Sequence, residues 1–210
     1  IPDRLAGWWL ASVVATVAVL VISPPSPGDR LRAAAAGSAR TLAAHLEAAV
    51  TRPITAEDVA ACQQAKRALL SAFASTPYRP TGLATADQAM ASVVQLLEWT
   101  TVLVTDAADG HTDPYRAAQP DRDLLAATAT VLRQTGDLLA DEAAPLPQTD
   151  EMERLREASA AYHRSAAPDT DINSTEAAAR NAFHAQAIEL AVRNLVADTL
   201  IATRRADPET

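Results

Sequence analysis

The feature that most constrains this chain is Leu5–Ser23, LAGWWLASVVATVAVLVIS, a run that no charge interrupts. A helix needs about 20 predominantly apolar residues to cross the roughly 30 Å hydrocarbon core of a bilayer, so the run is just long enough. In lipid a backbone must satisfy its own hydrogen bonds, which makes helix the expected state despite the β-branched residues. Trp8 and Trp9 stand at one end, where amphipathic rings settle at headgroup level. Pro24, Pro25 and Pro27 are expected to stop the helix, since none donates a backbone N–H. The run therefore reads as one membrane span (residues 1–28 with its proline stop), followed by a helical domain over residues 29–210.

Three other readings compete. A secretory signal peptide has a shorter apolar region and a basic start, and Asp3 beside Arg4 is a poor one. A buried core helix fits the marginal length. A helix lying in the interface needs a charged face, which this run lacks. The arginines give a direction: Arg30, Arg32 and Arg40 follow the run and only Arg4 precedes it. Basic residues favour the cytoplasmic side, which predicts the N-terminus outside and the remainder in the cytoplasm.

Roughly 185 residues follow the run, enough for one domain with its own core. Apolar residues make up 49% of the chain and aromatic ones 4%, so the core must be built from close helix contacts through small side chains. The formal net charge of −8 argues against a nucleic-acid partner, which would want clustered Lys and Arg. The single cysteine, Cys62, excludes an internal disulfide and is expected to be a buried, inert thiol. The chain opens Ile-Pro without an initiator Met, as a piece of a longer polypeptide would.

Apolar spacing predicts helices throughout. Leu31, Ala35, Ser38, Leu42, His45 and Ala49 share one face of a first helix from Asp29 to Val50. Thr55 is placed to cap a second, with Val59, Cys62, Leu69 and Phe73 inward. The third starts at Thr85, is apolar nearly all round and ends at Asp109-Gly110, which predicts a place at the bundle centre. The fourth, opened by Pro120, buries Leu124, Leu125, Val131, Leu132, Leu138 and Leu139. Its internal Gly136 costs about 1 kcal/mol relative to Ala, unless it lets a neighbour approach closely. A shorter fifth runs from Thr149 to about Arg164. The last is expected from a Thr175 cap to about Arg205, with Phe183, Ile188, Leu190, Val192, Leu195, Val196, Leu200 and Ile201 inward. No segment alternates as a strand does. The expected fold is all-α: one N-terminal transmembrane helix, then an antiparallel bundle of about five to six helices.

Phosphate-binding glycine loops, a nucleophile elbow and HExxH are all absent. His45, His111, His163 and His184 form no pair at metal-ligand spacing, and no Glu-x-x-His occurs. The sequence thus predicts no catalytic residues, no cofactor and no metal, and a protein that is not an enzyme. Two segments are candidates for partner contacts. TPYRPTG (76–82) is stiffened by two prolines and offers Tyr78 and Arg79. Glu98 and Trp99 stand out on the third helix; the structural alternative is that Trp99 packs in the core while Glu98 reaches an arginine.

The span GWWLASVVATVAVLVIS, the following SPPSPGDRLRAAAAGSAR, the helix ending RALLSAFASTPYRPTG and then ASVVQLLEWTTVL resemble the fusaric acid resistance (FUSC-like) family of bacterial aromatic-acid and drug exporters. The resemblance covers about the first half of the chain. It implies that Leu5–Ser23 is the last span of a first membrane half, and that Asp29–Arg205 is the cytoplasmic helical region before a second half. The expected function is then assembly or regulation of a bacterial inner-membrane efflux transporter. The expected partners are the membrane, the rest of the transporter chain and further copies in a homo-oligomer. A membrane-anchored helical sensor or adaptor without transport function fits the same pattern.

Overall fold

The computed structural model describes residue 12 and residues 27–76, 85–106, 113–165 and 172–206. Leu5–Ser23, Ser12 apart, lies outside the described residues, as do Tyr78, Arg79, Asp109-Gly110 and His111. Within them are six α-helices: α1 (Pro27–Thr51), α2 (Ala56–Ser75), α3 (Thr85–Asp106), α4 (Gln119–Ala140), α5 (Asp150–Ser165) and α6 (Ile172–Ala202), with a 3-10 turn at Pro114–Arg116. None of them is long and apolar enough to cross a membrane.

Pro27 opens α1; a ring with φ near −65° and no N–H suits the first helical turn. The predicted face of α1 is the buried one throughout, from Leu31 to Ala49. Thr55 caps α2 as expected. Its side chain accepts from the Asp58 N–H at 3.3 Å while Asp58 accepts from the Thr55 N–H at 2.8 Å, a reciprocal capping box. Arg52 adds a two-pronged ion pair to Asp58, at 2.7 and 2.8 Å. Cys62 is fully buried, and burial pushes its thiol up to about 11, which makes it inert. α6 begins at Ile172, so Thr175 lies inside the helix and does not cap it.

The helices run alternately up and down. Pairs of contacts fix this: Arg40 with Asp137 and Glu47 with Arg133 set α1 against α4, Ser92 with Asp198 and the Asp113 N–H with Asn181 set α3 against α6, and Ser159 with Asp121 and the Gln148 N–H with Gln134 set α5 against α4. α1, α3, α6 and α4 form a four-helix ring in that order, each packed on its two neighbours. α2 covers the α1·α3 edge, and α5 covers the α4·α6 edge. The most extensive seam joins α1 to α4, with α2 and α3 also on α1 and α5 and α6 also on α4; the centre of the bundle is therefore this pair, not α3 as predicted. α3 turns Gln95, Trp99 and Val102 to solvent.

Small residues make the α1·α4 seam possible. A Cβ on Gly136 would stand 3.1 Å from the Ala36 carbonyl oxygen, 3.3 Å from the Ala39 Cβ and 3.0 Å from the Arg40 Cγ. The missing side chain is what lets the backbones approach. Two buried hydroxyls of α4 bond within that helix, Thr128 to the Leu124 carbonyl and Thr135 to the Val131 carbonyl, both at 2.8 Å. They add no unpaired polar group to the seam.

Gly136→Leu should destabilise the bundle by about 1–3 kcal/mol through overpacking. Gly37→Ala, with nothing within 4 Å of the added Cβ, should instead stabilise it by up to about 1 kcal/mol. Thermal unfolding followed by circular dichroism separates the two signs.

His45 supplies a pH dependence. Burial is the largest influence on it and holds it below its ordinary 6.5, against the opposing pull of Asp58. Below 6.5 the unfolded chain binds a proton that the fold refuses, so stability falls as pH drops through that value. Denaturant unfolding at pH 7.5 and pH 5 should show this loss, and His45→Gln should flatten it.

Candidate functional site

The predicted partner-contact residues separate. Tyr78 and Arg79 lie outside the described residues. Their flanks, Thr76 after α2 and Thr85 at the start of α3, sit at the end of the bundle where α1 begins, as the up-and-down order requires. Glu98 and Trp99 point different ways. Glu98 meets Lys66 on α2 at 3.1 Å, so its partner is the lysine and not an arginine. Trp99 is 46% exposed and does not pack in the core.

Trp99 belongs to the α3·α6 edge of the ring, which no helix covers among the described residues. Ser92 donates to Asp198, which sets the register and places Trp99 opposite Ala191 and Val102 opposite Ile188. Trp99, Val102, Phe183 and Leu190 are the large apolar side chains left exposed there, at 46, 49, 75 and 42%. Phe183 and Leu190 correct the expectation that both point inward. At the register of Ser92 and Asp198, Phe183 falls beyond the last residue of α3, and no described helix covers it. Leu190 follows it two turns on, along the same outward stripe with Asn194 and Ala197.

The opposite edge, α1·α4, has another character. Arg32 pairs with Glu142, Arg40 with Asp137 at 2.8 Å and Glu47 with Arg133. Asp29, Arg32, Ala33, Ala36, Arg40 and Leu139 line a shallow groove there. Charges of both signs make this a solvated face.

One buried polar cluster was not legible in the sequence. Asp121, in the first turn of α4, is completely buried. Ser159 of α5 donates to its Oδ1 at 2.7 Å, and His163 Nε2 lies 3.0 Å from Oδ1 and 2.9 Å from Oδ2. Tyr162 meets the His163 ring edge-on, with centroids 5.1 Å apart. The residue types suggest a hydrolase, but the geometry does not. Ser159 gives its proton to the carboxylate, so the imidazole is not placed to take it, and the hydroxyl is buried away from any substrate. The cluster is a clamp that fastens α5, whose fully buried residues are Met152 and Ser159, to α4.

A second buried carboxylate, Glu189 on α6, faces Arg193 at 3.9 Å, beyond hydrogen-bond range. Burial pushes it up, against the pull of Arg193 and Arg156. Among the described residues no group of three His, Cys, Asp or Glu side chains could hold a metal ion. Comparison with known proteins gives no match, whether to a family model, a curated protein or a solved structure.

His163→Ala leaves the Asp121 carboxylate buried without its imidazole partner and should lower stability by about 1–3 kcal/mol. Glu157→Ala, on the exposed side of α5, should change it by less than about 0.5 kcal/mol. Urea unfolding of the two variants beside the parent chain checks the contrast.

Proposed function

We propose that this chain is the membrane-proximal cytoplasmic helical domain, with one adjacent span, of a bacterial efflux transporter resembling the fusaric acid resistance family. Its role is assembly, not chemistry. The observation that carries the reading is where the bundle's chain path starts and finishes. Arg32, near the start of α1, pairs with Glu142, and Arg205, just after α6, donates to the Glu142 carbonyl. An even number of up-and-down helices brings the path back to the end it left. A domain inserted between two membrane halves must do this, because both of its connections lead to the same membrane surface.

Three further points support the reading. The uncharged Leu5–Ser23 run leads into α1 at that end, and Arg30 and Arg32 follow it as positive-inside flanks do. The 76–82 connection joins helix ends at the same pole, next to the proposed membrane. The uncovered α3·α6 edge gives an assembly role a surface to work with.

Topology tests the proposal. In vesicles of known orientation holding the full-length parent protein, protease should cut the bundle only from the cytoplasmic face. The reading frame should encode further apolar spans on both sides. Cleavage from the outer face alone overturns the orientation. A frame with no other span overturns transport in favour of the anchored sensor or adaptor.

A further inference from the structure

The ring of α1, α3, α6 and α4 has four outer edges, and three are accounted for. Two carry a helix, α2 and α5, and the third is laced with ion pairs between α1 and α4. The fourth, α3·α6, carries two aromatic rings and two aliphatic side chains in the open. We propose that this edge pairs with the same edge of a second copy of the chain, about a two-fold axis parallel to the helices. The inference rests on the assembly role proposed above and names its partner.

Charge favours a second copy over other occupants. Each chain carries a formal net charge of −8, so two bodies that approach on a random face repel. Along the middle of this edge the outward side chains are uncharged: Gln95, Trp99 and Val102 on α3, and Phe183, Leu190, Asn194 and Ala197 on α6. Of the nearby carboxylates, Glu98 pairs with Lys66, Glu176 pairs with Arg180, and Asp198 accepts from Ser92 between the two helices. An anionic lipid surface would instead want a cluster of basic residues around the aromatic ones; the arginines nearest this stripe, Arg180 and Arg193, face Glu176 and Glu189.

Geometry agrees. From Phe183 to Ala197 the stripe is about 21 Å long at 1.5 Å per residue, and two helices make it about 20 Å wide. That footprint, on the order of 400 Å², is about half of the roughly 800 Å² per partner in stable interfaces, the size of a weak, reversible pairing. With the axis along the helices, α3 of one copy lies beside α6 of the other. The pair runs antiparallel, as α3 and α6 do within one copy. The four helices then form a second four-helix ring, a recurrent bundle arrangement. The same axis keeps the α1-start poles of both copies on one side, as two domains on one membrane surface require. Exposed aromatic side chains near the middle of such a face are the usual anchors.

Sedimentation of the 210-residue chain in mild detergent tests this. The parent should be dimeric at micromolar concentration. Trp99→Glu with Leu190→Glu should raise the dissociation constant at least about tenfold, because each puts a charge where an aromatic or aliphatic anchor stood. Helical circular dichroism and the unfolding temperature should stay unchanged, since both positions are half exposed in the single copy. Trp99→Cys mixed with Leu190→Cys should cross-link between copies, while Ala44→Cys on the opposite edge should not. A dimer that both glutamates leave intact overturns the inference. So does a parent chain that stays monomeric, whether the edge is then covered by Leu5–Ser23 of its own chain or by lipid. Intramolecular cross-linking in a chain carrying both Trp99→Cys and Ala18→Cys, or labelling by a photoreactive lipid, identifies which. A monomer whose bundle is still cut only from the cytoplasmic face removes this interface and leaves the transporter reading standing.

Discussion

The rest of the bundle depends on how closely α1 and α4 approach. Gly136 lies against the Ala36 carbonyl and the Ala39 methyl, and an alanine in its place would already be tight. In a chain that is 4% aromatic, the core cannot be filled by large rings, so it is filled by bringing backbones together. Ala35, Ala39, Ala43 and Ala129 are wholly buried for this reason, and leucines such as Leu42 and Leu132 fill the spaces between. Once that seam is fixed, α3 and α6 have one place to go, on the remaining faces of α1 and α4. The outer helices α2 and α5 then close two of the edges.

Polar groups inside this body are used as fasteners. The Asp121 carboxylate draws in Ser159 and His163 and so holds α5 to α4, where little apolar surface would. Asp58 does similar work at the α1–α2 turn, serving as capping residue and as partner of Arg52. Arg52 beside Asp58 keeps that carboxyl well below the usual carboxylate range, so its contribution is present at neutral pH and is lost only in strong acid.

Local signals were legible in the sequence. The α1 face from Leu31 to Ala49, the Thr55 cap, the leucine stripe of α4 and the meaning of Gly136 all follow from spacing and turn chemistry within one helix. What was not legible depends on where another helix ends. Phe183 and Leu190 look like core because α6 is apolar on several sides. They are exposed because α6 runs on past the end of α3 at Phe183 and because no described helix covers the outward stripe at Leu190. Trp99 was singled out as a candidate contact residue, but its companions on that edge were not. The Asp121–Ser159–His163 cluster joins residues about 40 positions apart, and no periodicity within α4 or α5 announces it.

Glu142 has a mechanical consequence. Its side chain holds Arg32 near the start of the bundle, and its backbone carbonyl holds Arg205 near the end, so one loop residue ties together the strands of chain that arrive and depart. Any tension between the two flanking segments would be borne first at this knot, across the helix ends. The long seams beyond it would stay unloaded until the knot gave way, so that tugging by its neighbours would open the body from one pole, like a zip, and not shear it as a block.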